Sequence, residues 1–190
     1  MPVIVVTGPV RSGKSRFALE RAKQSGLPVT YVATAAREPG DGEWDARLER
    51  HLRERPAHWT TVESAELAAG TLLARFRDAA ASECIIVDAL GTWIAARFSA
   101  AIAEFERDAA AFEARLDAEA AALASALLAS PALVIAVAEE VGWDVVPIAP
   151  SARVFRDVLG RMKQQLGEGA QSVVLLVCGI AVDLKALPRG

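Results

Sequence analysis

Eight consecutive residues near the amino terminus have the types and the spacing that bind nucleotide phosphates. They fit the pattern G-x-x-x-x-G-K-[ST] and are Gly8, Pro9, Val10, Arg11, Ser12, Gly13, Lys14 and Ser15. In such a loop the backbone N–H groups and the positive end of the following helix face phosphate oxygens. We therefore predict that residues 8–15 bind nucleotide, with Lys14 as a catalytic cation at the terminal phosphates and Ser15 as a ligand of Mg²⁺.

A carboxylate that could complete this site ends an apolar run later in the chain. Asp88 follows four apolar residues in the run CIIVD. Phosphate-binding loops of this kind hold magnesium with an acid at the end of a neighbouring strand. Asp88 is therefore predicted to bind Mg²⁺ and the nucleotide together with Ser15. An aspartate at a strand-to-helix junction is also an ordinary helix cap, and the two roles are compatible.

The two histidines of the chain, His51 and His58, both lie in a charged stretch at residues 43–59. The stretch predicts an amphipathic helix that stops at Pro56. Arginines on both sides of His51 favour the neutral form of its imidazole, and a neutral imidazole nitrogen can attack phosphorus. From these residues alone a solvated helix face is the simpler interpretation, and the nucleophile hypothesis stays open.

The elements that must position these residues alternate between short β-branched runs and longer helical patterns. Strands are predicted at residues 3–7, 29–35, 84–88, 133–138 and 173–178, with weaker ones at 59–63 and 180–184. Helices are predicted at residues 14–25, 44–53, 65–81, 102–129 and 151–166. Such alternation is typical of βαβ units. With the phosphate-binding loop, it predicts an α/β fold of the P-loop NTPase (RecA-like) class, a mainly parallel sheet flanked by helices on both faces.

The composition of the chain argues against membrane-spanning, exported and nucleic-acid-binding proteins. The chain has 190 residues, of which 53% are apolar and 24% charged, and it shows no linker or repeat, so we predict a single domain over residues 1–190. No uncharged apolar run is long enough to span a membrane, and the first residues lack a signal-peptide pattern. We therefore expect a cytoplasmic protein. A net charge of -3, with acids and arginines interleaved, argues against a nucleic-acid partner.

The cysteines and histidines do not form a metal-binding pattern. Cys84 and Cys178 both lie in apolar runs without C-x-x-C spacing, which predicts buried core residues. Two histidines are too few for a zinc site unless carboxylates complete it. The only metal we expect is therefore the Mg²⁺ that accompanies the nucleotide.

Over nearly its whole length the sequence resembles the bifunctional adenosylcobinamide kinase/adenosylcobinamide-phosphate guanylyltransferase family of cobalamin biosynthesis. The segments that carry the resemblance are TGPVRSGKSRFAL, YVATA, ARLERHLRERPAHW, IIVDAL, EEVGWDVVP, RVFRDVLGRMKQQL and VVLLVCGIAVDLK. A phosphate-binding loop alone is common to very many proteins. A histidine joined to R-P-x-x-W and followed in order by E-V-G-x-x-x-V-P and F-R-D-x-x-G is much more specific.

The resemblance implies two reactions on one scaffold. ATP or GTP phosphorylates adenosylcobinamide, and GMP then passes from GTP to that phosphate, which gives adenosylcobinamide-GDP and pyrophosphate. In this family the GMP is carried by a covalent bond to a histidine, and the matching position here is His51. His58 matches a less diagnostic position, with a structural or substrate-contacting role. The resemblance further implies a homotrimer.

Three residues depart from the family pattern. The family commonly has asparagine where this chain has Ala96 and Glu139, and it has G-x-x-N-Q where Lys163 stands before glutamine. These changes bear on whether both activities are present, and the opposite charges of Glu139 and Lys163 suggest a compensating pair.

Two other functions stay open. One is a P-loop small-molecule kinase with a single activity, in which His51 is only a helix-surface residue. The other is a nucleotide-binding regulatory protein that has lost catalysis. Label from α-labelled GTP discriminates the first alternative, and tight GTP binding without turnover would favour the second.

Overall fold

The computed structural model describes residues 2–35, 40, 42–64, 67, 69–143 and 145–188. The strands are β1 (Val3–Gly8), β2 (Val29–Ala33), β3 (Thr60–Glu63), β4 (Cys84–Asp88), β5 (Leu133–Glu139), β6 (Ser172–Val177) and β7 (Ile180–Asp183). The helices are α1 (Lys14–Ser25), α2 (Gly42–Arg53), α3 (Ala69–Arg77), α4 (Leu90–Ala100), α5 (Ile102–Arg107), α6 (Ala109–Ala129) and α7 (Pro150–Gly169), followed by a short 3-10 turn at Leu184–Ala186.

The strands form one sheet in the order β3-β2-β4-β5-β1-β6-β7. Neighbours from β3 to β6 run parallel, and β7 pairs antiparallel with β6. The central strands are apolar on both faces because helices cover both sides, as expected for a parallel sheet. This arrangement confirms the predicted fold class. It also brings the carboxyl ends of β1, β4 and β5 to one edge, where Gly8 is level with Glu139 and Asp88 with Val137.

Two apolar cores hold the helices against the sheet. On one face α1 packs Ala18, Leu19 and Ala22 against side chains of β1, β2, β4 and β5. On the other face the core joins α3, α4, α6 and α7 to the same strands. The sequence spacing of α1 predicts its buried stripe, because residues three and four apart share one helix face.

Some element boundaries differ from the sequence predictions. Helix α4 was not predicted, because small residues such as Ala95 and Ala100 occupy its exposed positions and contrast little in polarity with the buried face; the buried residues are Leu90, Gly91, Trp93, Ile94 and Phe98. The helix predicted at 102–129 is broken at Asp108, whose carboxylate caps the N–H of Ala111. Strand β2 ends at Ala33 rather than at residue 35. The helix predicted at 65–81 is observed as α3, and the described residues 67 and 78–81 are not helical; residues 65, 66 and 68 lie outside the described residues.

The two cysteines differ in their surroundings. Cys84 is buried as predicted, and burial raises the pKa of its thiol to about 11. The prediction for Cys178 was wrong, since this residue is exposed. It lies in the tight turn between β6 and β7 with a φ of 52°, followed by Gly179 at 79°, the left-handed pair that a two-residue hairpin turn requires. Separately, none of the helices built from described residues is long and apolar enough to cross a membrane.

Candidate active site

The loop between β1 and α1 follows directly from the glycines in the sequence. Gly8 has a φ of +149°, and a Cβ at this position would lie 2.3 Å from the carbonyl oxygen of Leu176. Only glycine fits such a close approach. Gly13 turns the chain into α1 with a φ of 99°. The side chain of Lys14 is buried, and its Nζ donates a hydrogen bond of 2.8 Å to the carbonyl of Pro9 across the loop.

One side chain of this loop lacks a hydrogen-bond partner. Ser12 is buried, and its Oγ has no partner among the described residues. A buried hydroxyl without a partner is destabilising by about 1–3 kcal/mol, so such groups normally mark the place of a water or a ligand. A phosphate oxygen bound in the loop would satisfy this hydroxyl.

Asp88 lies beside the loop and has two hydroxyl partners. Its Oδ1 accepts a hydrogen bond of 3.2 Å from Ser15 Oγ, and its Oδ2 accepts one of 2.5 Å from the Tyr31 hydroxyl. Burial, together with the charge of Asp88, raises the pKa of Tyr31 well above its usual value, so the phenol stays protonated and donates. The N-cap of α4 is Ala89, so the helix-cap role considered for Asp88 is not the one observed.

A second acid orders the first residue of the loop. The Glu140 carboxylate accepts hydrogen bonds of 2.7 Å from both the Thr7 hydroxyl and Lys163 Nζ. The backbone N–H of Glu140 donates to the carbonyl of Gly8 at 3.0 Å. Lys163, one of the departures from the family pattern, therefore helps to fix the end of β1.

Glu139 has a different partner from the one suggested by the sequence. Its carboxylate accepts a hydrogen bond of 2.9 Å from the N–H of Gly91, at the start of α4, and burial raises its pKa. Lys163 reaches only the backbone carbonyl of Glu139, at 3.2 Å, and pairs through its charge with Glu140. The expected Glu139–Lys163 pair was therefore wrong.

The loop opens into a cleft of about 800 Å³ whose opposite wall is α2 and the residues after it. This volume suits a nucleotide. The loop residues Val10 to Arg16, Asp88, Glu139 and Glu140 line one side, and His51 lines the other. The structure thus brings His51, Lys14, Ser15 and Asp88 to one cavity. His58 is exposed beside Trp59 and is not among the residues that line the cleft.

Sequence reasoning did not single out Tyr31 or Arg55, which also line the cleft. Tyr31 belongs to the YVATA segment and Arg55 to the R-P-x-x-W segment of the family resemblance, which was the available signal. Their contacts join residues that are far apart in the sequence: Tyr31 and Asp88, for example, are 57 residues apart and form a hydrogen bond. A sequence pattern does not show that such residues are in contact.

Comparisons with known proteins agree with this geometry. The family described as "Cobinamide kinase / cobinamide phosphate guanyltransferase" matches residues 4–184. The bifunctional adenosylcobalamin biosynthesis protein CobP of Pseudomonas aeruginosa is 36% identical over 184 residues, which cover 97% of this chain and 98% of that protein. The bifunctional adenosylcobalamin biosynthesis protein CobU of Escherichia coli is 37% identical over 186 residues, 96% of this chain and 99% of that protein.

A solved structure supports the fold independently. A prototypical ATPase from a bacterial type III secretion system superposes with a TM-score of 0.54 at 11% identity, covering 96% of this chain and 56% of its own. At this identity the likeness concerns the fold alone, which is that of a P-loop ATPase. The family match and the curated relatives span almost the whole sequence, so the activity is that of a cobinamide kinase and cobinamide phosphate guanylyltransferase. The chain belongs to the cobinamide kinase/cobinamide phosphate guanyltransferase family.

Proposed function

We propose that both reactions of the family take place in the single cleft between the phosphate-binding loop and α2, with His51 as the acceptor of GMP. The observation that carries this proposal is that His51 and the loop residue Lys14 line the same cavity. The substrates are the nucleoside triphosphates ATP and GTP and the corrinoid adenosylcobinamide, whose aminopropanol hydroxyl is phosphorylated first.

In the kinase step the loop holds the triphosphate and the substrate hydroxyl attacks the γ-phosphorus. The backbone of Gly8, Pro9, Val10, Arg11, Ser12 and Gly13 turns N–H groups toward the phosphates, as the motif predicts. Lys14 leaves its contact with the Pro9 carbonyl and neutralises charge that develops on the terminal phosphates. The bond between the γ-phosphorus and the β-phosphate oxygen breaks, and the nucleoside diphosphate leaves.

In the guanylyl step His51 attacks the α-phosphorus of GTP. Glu54 lies 3.6 Å from Nδ1 of His51, which supports attack by the other ring nitrogen, Nε2. A bond forms between Nε2 and the α-phosphorus, the bond to the β-phosphate oxygen breaks, and pyrophosphate leaves with the displaced electron pair. The phosphate of adenosylcobinamide-phosphate then attacks the same phosphorus, which restores the imidazole and releases adenosylcobinamide-GDP.

Ser15 and Asp88 fit the Mg²⁺ that such reactions use. Both present oxygen atoms, the ligands that this ion prefers, and they are already 3.2 Å apart. Magnesium usually takes one or two protein ligands and completes its shell with water and substrate phosphates. When bound, the ion would neutralise phosphate charge in both reactions. Tyr31 keeps the carboxylate of Asp88 oriented toward Ser15 through its hydrogen bond to the other oxygen.

The experiment that tests this proposal follows label from GTP. A phosphoramidate is labile in acid and stable in alkali, unlike a phosphoester. Wild-type protein should take up acid-labile label from α-labelled GTP and none from γ-labelled GTP. His51→Ala should take up neither label while it still phosphorylates adenosylcobinamide.

The matched control is His58→Ala, which removes the exposed histidine outside the cleft and should retain the label. Full labelling of His51→Ala would refute the assigned nucleophile. Wild-type protein that is never labelled, although it phosphorylates adenosylcobinamide, would support the single-activity kinase instead. GTP binding without any turnover would support the regulatory protein.

We also propose a homotrimer that works in the cytoplasm. An exposed apolar segment after β5 supports an assembly between copies, since Val145 is 81% exposed and Ile148 is 97% exposed. Side chains of this kind are uncommon on the free surface of a monomer when they cluster. Sedimentation of the purified protein tests the trimer. The cytoplasmic location is supported by the ATP and GTP that the proposed reactions consume.

A further inference from the structure

Arg55 is a cation in the cleft with an unused hydrogen-bond donor. Its Nε is buried and has no hydrogen-bond partner among the described residues. Its Nη1 lies 3.5 Å from the hydroxyl of Thr61, at the limit of a hydrogen bond. Burying part of a guanidinium without a partner is unfavourable unless a ligand supplies one. The side chain is thus prepared for an acceptor that enters the cleft.

The position of Arg55 is fixed by an aromatic ring. The guanidinium carbon lies 3.8 Å from the centre of the Tyr31 ring, a stacked cation–π contact. Tyr31 in turn donates to Asp88, which accepts from Ser15 at the start of α1. The guanidinium is therefore held next to the end of the phosphate-binding loop, where the Ser15 hydroxyl donates to the Asp88 carboxylate.

Basic side chains on both sides of the cleft favour an anionic ligand for this donor. Arg11, Lys14 and Arg16 line the loop side, and Arg50 lines the other side together with Arg55. A triphosphate supplies negative charge that matches them. An arginine is suited to such a ligand because its planar fork of N–H groups matches two oxygens of one phosphate.

We propose that Arg55 binds a phosphate group of the nucleotide. This contact holds residues 51–55, and with them His51, close to the phosphate-binding loop when nucleotide is bound. Arg55 follows His51 by four residues, just after the end of α2. A contact between Arg55 and the triphosphate therefore restrains the segment that carries the nucleophile as soon as the nucleotide binds. This inference rests on the proposed function, since it takes GTP as the ligand of the cleft.

The test compares binding of a triphosphate with binding of the nucleoside alone. The probes are α,β-methylene-GTP, which His51 cannot cleave between the α- and β-phosphates, and guanosine, each titrated by calorimetry. Arg55→Ala should weaken binding of the triphosphate analogue about 10- to 100-fold, the range of one charge-assisted contact. Binding of guanosine should change less than about twofold, since it lacks the phosphates.

Arg53→Ala is the matched control, because it removes the same charge two residues earlier. Arg53 is 72% exposed and its nearest acid, Glu49, lies 3.7 Å away on the outer face of the helix. This variant should bind both probes as wild type does. Arg55→Lys keeps the cation and the stem but loses the planar fork, and it should fall between wild type and Arg55→Ala. Arg55→Lys can still be measured if Arg55→Ala does not fold.

Two results would overturn the inference. One is wild-type affinity of Arg55→Ala for the triphosphate analogue. The other is an equal loss for the analogue and for guanosine, which would give Arg55 a purely structural role. Because neither probe requires turnover, these results stand apart from the labelling experiment. Absence of label in wild-type protein would contradict the proposed guanylyl transfer without changing the binding ratio.

Discussion

The two walls of the cleft differ in how firmly the fold holds them. On the loop side, α1 has four buried side chains, Lys14, Ala18, Leu19 and Ala22, and it packs directly on the sheet. On the other side, none of the described side chains of α2 is buried, and His51 is about one third exposed. The wall formed by the loop and α1 is therefore part of the core, whereas His51, the proposed nucleophile, lies on a helix at the surface.

This difference matches the chemistry of the two transfers that we propose for the cleft, each from its own nucleoside triphosphate. Both reactions need the phosphates in one fixed place, because charge that develops at phosphorus is stabilised by groups that do not move. They differ in which phosphorus is attacked and by which group. A helix with little buried surface can change position at a low energetic cost, so we expect α2 to approach the loop for guanylyl transfer and to withdraw for phosphorylation.

The largest effect is expected for a substitution in the phosphate-binding loop. Lys14→Ala should reduce both phosphorylation of adenosylcobinamide and labelling of His51 by about 10³-fold or more, because the cation serves the triphosphate in each reaction. Circular dichroism should show an unchanged fold. If the folded variant kept full kinase activity, the phosphate-binding loop would not serve both reactions. The contrast between a shared, fixed loop and a movable α2 would then be wrong.

Asp88→Asn should weaken the binding of Mg²⁺ beside the phosphate-binding loop. We expect the Mg²⁺ concentration needed for half-maximal turnover to rise about 10-fold or more in both reactions, since a neutral amide is a poorer ligand of this ion. Binding of GTP without metal should change much less. An unchanged magnesium dependence would remove Asp88 from the metal site.

Gly91→Ala probes the contact between α4 and β5 behind the loop. A Cβ at Gly91 would lie 2.4 Å from Glu139 Oε2, so the carboxylate must shift and lose its bond to the Gly91 N–H. Thermal unfolding should show a loss of about 1–3 kcal/mol. Gly160→Ala is the control: apart from the backbone of its own helix, no atom of the described residues lies within 4 Å of a Cβ built there, and alanine should stabilise α7 by about 0.5–1 kcal/mol. Equal changes in both variants would contradict the close contact at Gly91.

The smallest effect is expected for Tyr31→Phe, which tests the link between the two walls. The variant loses the hydrogen bond to Asp88, worth about 1–3 kcal/mol to a charged acceptor, but keeps an aromatic ring beneath Arg55. Both reactions should slow by less than about tenfold, and the preference for a triphosphate over guanosine should stay. A loss of that preference would assign the phosphate selectivity to the hydroxyl rather than to Arg55.

Features that depend on neighbouring residues could be predicted from the sequence. Contacts between residues far apart along the chain could not. The positions in the fold of the loop after β1 and of the strand that ends at Asp88 were confirmed, because each depends on a few consecutive residues, such as the glycines of the loop and the apolar run before Asp88. The partner of Lys163 was wrong because neighbouring acids, Glu139 and Glu140, point to opposite sides of a strand end, and only the fold decides which one a lysine reaches. Helix α4 was missed because alanines such as Ala95 and Ala100 are on its exposed face and weaken the contrast between polar and apolar positions on which the prediction depends.

The position of the strands has a consequence for local stability. β1, β4 and β5 are inside the sheet, whereas β3, which follows α2 and Arg55, is at its edge and is largely exposed. Amide hydrogens of the inner strands should exchange with solvent only on global unfolding, and those of α2 and β3 through local opening. In mild denaturant the enzyme would then lose guanylyl transfer while it still binds nucleotide.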